Sequence, residues 1–170
     1  MDINILMLSL IWKGITIPLM WVFLPKKGNS NTKERKILLK RFIKLFGVKK
    51  IASLLMDREF IGDEWLCWLS SQGVNFTLRI RHNIKIASKK EKIVPIRKLF
   101  GSLAPGCSRL LKGQRHLFKL SLWVGAMKLK NKEWFIVVSN HDQDSLLERY
   151  ALRWQIETLF LFASLISVSI

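Results

Sequence analysis

Acidic residues, cysteine and proline are all scarce in this chain of 170 residues. Only 12 Asp and Glu stand against 29 Lys and Arg, which leaves a formal charge of +17. A balance so far from neutral points to a polyanionic partner, either nucleic acid or an anionic membrane surface. The two cysteines, Cys67 and Cys107, exclude a disulfide scaffold and fit a reducing compartment. With His82, His116 and His141 they form no paired spacing of the kind that holds a structural zinc. A glycine-rich phosphate loop is missing as well, since the nearest stretch, 101–106 (GSLAPG), is not followed by Lys-Ser/Thr. With four prolines there is neither an internal repeat nor a low-complexity linker. What the chain does have is apolar material, at 49%, which is too much for a disordered basic tail. Its length suits one domain of about 100–200 residues.

The charge is sorted along the chain. Residues 26–50 hold ten bases and one acid, 79–98 hold eight and one, and 109–132 hold seven and none. Those spans contain 25 of the 29 bases. Four acids fall in 57–64 (Asp57, Glu59, Asp63, Glu64) and five in 133–157 (Glu133, Asp142, Asp144, Glu148, Glu157). One basic run is ordinarily a solvated face. Three runs with the acids sorted elsewhere suit an enzyme acting on a phosphate backbone, where bases hold the strand and carboxylates hold a metal.

Residues 3–24 carry a single charge, Lys13, and are long enough as a helix to cross a hydrocarbon core of about 30 Å. A mid-segment Lys13-Gly14 is costly in lipid, and Pro18 follows soon after. The apolar residues divide into two runs around Trp12-Lys13-Gly14, which predicts a hairpin of buried strands, with a membrane helix as the alternative. No basic segment precedes the run, which speaks against a signal peptide. Turn chemistry follows at 25–30 (PKKGNS). Asn31 with Glu34 resembles a capping box and opens a helix over 33–46. On the helical wheel Leu38, Phe42 and Leu45 share the core face, and Lys33, Lys36, Lys40 and Lys44 the opposite one. A buried strand is expected at 51–56, ending on Asp57, then a helix at 61–71 with Gly73 near its C-cap. Residues 74–81 read as a strand, and the pattern stays β-rich to 138. Within that interval 116–124 alternates, with Phe118, Leu120, Leu122 and Val124 on one side, and 134–138 is a continuous apolar run. Asp142 and Asp144 can cap a last helix reaching Phe162. Most of the seven tryptophans lie in apolar runs and read as core.

Tyr150, Arg153 and Glu157 stand at i, i+3 and i+7, so on a helix they fall within about 60° of one another. A carboxylate beside an Arg and a Tyr can bind a metal next to phosphate contacts, or Arg153 and Glu157 can form a plain surface ion pair. Asp57, at the end of a strand, can face a distant carboxylate across a metal site or simply cap the next helix.

Three segments, 57–62 (DREFIG), 24–30 (LPKKGNS) and 150–160 (YALRWQIETLF), resemble bacterial insertion-sequence transposases of the DDE type, most closely those with a Tyr–Arg–Glu–Lys signature. The resemblance covers roughly residues 2–160, and the Tyr-x2-Arg-x3-Glu spacing is its most specific part. It implies an α/β, RNase H-like mixed sheet with helices, interrupted by a β-rich insertion. In that frame 1–73 is the first part of the catalytic core, 74–138 the insertion and 139–162 the C-terminal core helix. The family's second Asp maps onto Asp57 and its Glu onto Glu157, the implied catalytic and metal-holding pair for Mg²⁺ or Mn²⁺. The signature Tyr and Arg map onto Tyr150 and Arg153, which with Lys36, Lys40 and Lys44 are the expected DNA contacts.

The chain also departs from the family. The first catalytic Asp belongs on a strand ahead of residues 3–12, and Asp2 comes too late to be that residue. The signature Lys should fall seven residues after Glu157, where Ser164 stands. Residues 158–170 carry no charge, are too short to span a membrane and read like a frame-shifted or junction product, with 163–170 as an aberrant tail. The expectation is thus a transposase fragment truncated at both ends, its first strand missing. Asp57 and Glu157 would be left to balance two divalent ions, so strand cleavage or transfer is expected to be negligible. A second expectation is a non-catalytic DNA-binding regulator that competes with a full-length transposase for transposon ends or dimerises with it or with itself. A small basic membrane protein is the third. The first two place the chain in the bacterial cytoplasm, associated with the nucleoid.

Overall fold

The computed structural model describes residues 4–13, 15–87, 92–141 and 144–153. The chain divides into two compact units, one formed by residues 51–150 and the other by residues 1–50 with the segment that begins at Ala151.

The first unit opens with the expected hairpin, but its strands are not the buried ones expected: among their described residues only Leu6 and Leu24 are buried, while Trp12, Trp21 and Phe23 are more than half exposed. Strands β1 (Asn4–Trp12) and β2 (Ile15–Leu24) pair antiparallel from Asn4↔Leu24 to Trp12↔Ile15. The register shifts between Leu8↔Met20 and Ser9↔Pro18, so the proline sits at an irregularity, where its missing N–H disturbs the ladder least. Helix α1 (Thr32–Phe46) carries the complete capping box: Asn31 Oδ1 accepts from Glu34 N, and Glu34 Oε2 accepts from Asn31 N. Its core face is not the one expected. Leu38 and Leu39 are buried together with Arg35, Phe42 is half-buried, and Leu45 is 66% exposed. The buried stripe has turned by about one residue, because Arg35 folds back onto the turn before the helix and donates to Ser30 Oγ and to Ser30 O. Leu38 and Leu39 form this unit's buried core with Leu6 and Leu24 of the hairpin.

The second unit begins with β3 (Leu54–Met56), shorter than the expected 51–56 because its parallel partner starts only at Phe76. Then come α2 (Asp63–Ser71), β4 (Phe76–Ile80), the small pair β5 (Lys85–Ala87) and β6 (Ile93–Pro95), β7 (Ser108–Leu110), β8 (Arg115–Leu117), β9 (Leu120–Lys128), β10 (Trp134–Ser139) and α3 (Leu146–Ala151). The main sheet runs β3-β4-β10-β9-β7, with β8 also paired to β9; β3 is parallel to β4 and the other pairs are antiparallel. One face is covered by α2, where Trp65 Nε1 donates to Met56 Sδ at 3.2 Å. The opposite face carries Phe135 and Val137, packed with Leu146 and Tyr150 of α3. This is the mixed α/β sheet with helices that the sequence leads one to expect.

The alternation over 116–124 does not form one strand. Phe118 and Lys119 have φ of 53° and 61°, so the chain reverses there and Leu117 pairs with Leu120. Two successive positive φ values are the twist of a tight hairpin turn, so Phe118 leaves the row formed by Leu120, Leu122 and Val124. The last helix is seen only as α3, with Leu152 and Arg153 in a turn past its end; residues 154–162 of its expected span, Glu157 among them, Asp142 and the 163–170 tail lie outside the described residues. Among the described residues no helix is long and apolar enough to cross a membrane.

Candidate functional site

Asp57 follows β3 directly, with its backbone still extended (φ −86°, ψ 169°). Its carboxylate accepts from Arg58 N at 2.7 Å and caps the short turn Arg58–Phe60. The plain capping role and the strand-end position therefore coexist in one half-buried residue. Alternation fixes which side of the sheet it serves. Leu55 pairs with Thr77, Thr77 with Ser139, and Arg79 with Val137, so Leu55, Thr77, Arg79 and Val137 share a face. Asp57 continues that row, on the side covered by α3.

On the same side, Tyr150 is fully buried and meets Phe135 edge-on, with ring centroids 5.4 Å apart, so it is enclosed in the core rather than presented as the DNA contact the sequence leads one to expect. The Arg79 guanidinium lies 5.2 Å from the centroid of the Phe135 ring. A polar chain anchors the start of α3: Arg149 donates to Ser145 Oγ at 2.7 Å and stands 3.3 Å from His141 Nε2. That nitrogen is 3.1 Å from Ser53 Oγ, which in turn is 3.3 Å from Thr77 Oγ1. Sequence reasoning missed this link, because Ser53 and His141 are 88 residues apart and share no motif. Arg79 had a signal, its position on the Thr77 face of the expected strand.

The remaining expected residues are dispersed. Lys36, Lys40 and Lys44 lie on α1 of the first unit, the first half-buried and the others exposed. Arg153 is half-buried just past α3, and Glu157 lies outside the described residues. The Glu34 carboxyl is held below its ordinary value by the Lys26 ammonium, first as a hydrogen-bond donor.

A hard divalent cation takes oxygen donors, and Asp57 offers a carboxylate of the right kind. Among the described residues, no group of three or more His, Cys, Asp or Glu comes together to hold a metal ion. The described donors alone therefore do not make a centre.

A mixed sheet with a helix on each face, and an aspartate where its parallel strand ends, is an α/β core of the kind that builds ligand sites at the carboxyl ends of strands. The family described as the transposase DDE domain matches residues 12–162, and the chain belongs to it. The fold of that family is RNase H-like. No curated protein matches the chain.

Proposed function

We propose that the chain binds DNA as a member of the DDE transposase family and does not cut or join strands on its own. The observation that carries the binding is the segregation of 25 of 29 bases into three spans, with Asp57 standing apart at the end of β3. In this reading Lys36, Lys40, Lys44 and Arg153 contact phosphates. Asp57 and Glu157 are the carboxylates that correspond to the family's Mg²⁺ or Mn²⁺ ligands. Tyr150, enclosed with Phe135 and Val137, positions the helix that leads to Arg153 and Glu157. Inactivity is proposed because two carboxylates leave the four positive charges of a two-ion site poorly balanced. A chain that occupies DNA without cutting it would compete with an active transposase for the same ends.

The test is a nicking assay with Mg²⁺ or Mn²⁺ on duplex DNA carrying candidate terminal repeats. Binding without turnover is the expected result. Robust cleavage that Asp57→Ala abolishes would overturn the inactivity, and failure to retain DNA at low salt would overturn the binding.

A further inference from the structure

The two strands of the first unit's hairpin carry no charged residue, and Lys13 in their turn is the only charge from residue 4 to residue 24. Trp12, Trp21 and Phe23 are each more than half exposed, and Ile5, Leu10 and Ile15 are about half exposed. Three aromatics at half exposure alone leave roughly 300 Å² of apolar surface open. Apolar surface beyond that scale marks an interaction site. The chain as a whole carries +17, so two copies repel one another, and the uncharged hairpin is where that repulsion is weakest.

The hairpin has two edges, and among the described residues neither pairs with a further strand. The two differ in what they offer. β2 carries Pro18, which has no N–H, and Leu19, the residue skipped where the register shifts. Proline and a bulge are both devices that blunt an edge. β1 has no proline, no glycine, no charge and no skipped residue. A nine-residue apolar edge of that kind is a template for another strand. Its sequence also reads nearly alike in both directions about Leu8. Laid antiparallel on itself, Leu8 stands opposite Leu8, Leu6 opposite Leu10 and Ile5 opposite Ile11. Such an isologous contact has the two-fold symmetry of most dimers.

The antiparallel direction suits both charge and burial. It puts the two Lys13 side chains at opposite ends of the paired strands, about 30 Å apart and far beyond the screening length of about 8 Å. A parallel pair would set them side by side. By alternation Leu10 and Trp12 lie on the same face of β1 as Leu6, yet only Leu6 is buried, in the core with Leu38 and Leu39 of α1. Self-pairing moves Leu10 beside Leu6 of the second copy and Trp12 beside its Asn4, at the end that α1 covers. We infer that β1 is the contact between two copies of this chain, joined antiparallel about Leu8 into a four-stranded sheet β2-β1-β1-β2. One strand edge and two side chains from each copy make a contact below about 1,200 Å² in total, so the dimer is transient and concentration-dependent. The inference does not depend on DNA binding.

The test is sedimentation velocity of the full chain without DNA, over a concentration series in salt high enough to screen its charge. The sedimentation coefficient should rise with concentration from that of a monomer to that of a dimer. Leu10→Lys places an unpaired charge in the joined edge and should raise the midpoint by about tenfold or more. Phe23→Lys adds the same charge at a more exposed site on β2 and should leave the midpoint within about twofold. The register is read by cross-linking in a Cys107→Ser background, which removes the exposed thiol. Leu8→Cys should then oxidise to a covalent dimer, because residues directly opposite lie within disulfide reach. Ile5→Cys, facing Ile11 of the second copy, should not. A chain that stays monomeric throughout overturns the inference and leaves the DNA-binding proposal standing. A dimer untouched by Leu10→Lys, or lost equally with Phe23→Lys, is held by stacked apolar faces and overturns the strand pairing. Cross-linking of Ile5→Cys as fast as Leu8→Cys overturns the register about Leu8. Assembly that runs past the dimer also overturns it, since a two-fold contact closes.

Discussion

Glu34 serves a helix start and a neighbouring charge at once. Its Oε2 accepts from Asn31 N and from Lys26 Nζ, both at 2.8 Å, while its own N–H is taken by Asn31 Oδ1. The Lys26 hydrogen bond is the largest cause of its lowered pKa, followed by the bond from Asn31 N. A carboxyl whose folded pKa lies below its unfolded value stabilises the fold above the ordinary value of 4.5. That contribution disappears as pH falls through the lowered folded value. Because the pair is partly exposed to solvent, the ion-pair component is worth less than about 1 kcal/mol. Thermal melts at pH 7 and below pH 4 should therefore lose stability in the native chain more steeply than in Glu34→Gln. An identical pH profile in the variant would refute this. Asn31→Ala, which removes the cap itself, should cost about 1 kcal/mol at every pH. Gly125 makes a different single-residue demand. A Cβ there would stand 2.7 Å from Leu110 Cδ2 and 3.0 Å from Leu146 Cδ2, so β9 needs glycine where α3 leans on the sheet. Gly125→Ala should destabilise by about 1–2 kcal/mol through overpacking, and Gly125→Val by more, as read from denaturant midpoints.

At the scale of elements, the turn between β8 and β9 is built from unfavourable residues. Phe118 and Lys119 both take positive φ, where Asn or Gly is ordinarily found. Lys119 is exposed, so Lys119→Gly removes the strain without disturbing the core and should stabilise the protein by about 0.5–1 kcal/mol. A lower melting temperature in that variant would show that the turn is held by something other than its own backbone. The same turn marks a limit of sequence reading. It contains no Gly, Asn or Pro, so alternation across 116–124 looked unbroken although the chain reverses inside it. Where the local chemistry was explicit, reading succeeded: Asn31 and Glu34 capped α1 as expected, and Trp12-Lys13-Gly14 split the apolar run into β1 and β2. The core face of α1 was misjudged because Arg35 finds its partner in Ser30, outside the helix and invisible to a wheel. The site was legible only in part. Asp57 was expected at the end of a strand and stands there, directly after β3. The Ser53–His141–Arg149 link had no local trace, since it exists only after β3 and β10 have joined the same sheet.

At the scale of the whole molecule, the charge is shared between units rather than pooled. Span 26–50 lies in the first unit, while 79–98 and 109–132 lie in the second, so each unit carries its own excess of positive charge. Two linked modules that engage one ligand bind more tightly than either alone, and the salt dependence reports how many contacts are made. On duplex DNA each neutralised phosphate contributes about 0.9 to the slope of log K against log salt concentration. Replacing Lys36, Lys40 and Lys44 with Gln should reduce that slope by roughly 2–3 and weaken binding alike on every sequence, since phosphate contacts carry no base information. Replacing Lys130 and Lys132 of the second unit should reduce it by roughly 1–2. If both units hold the same DNA, the reductions add in the combined variant. If only one unit engages, one set of substitutions leaves the slope where it was. A slope unchanged by both sets would mean that these lysines are a solvated surface, and the excess of bases would then need a partner other than DNA.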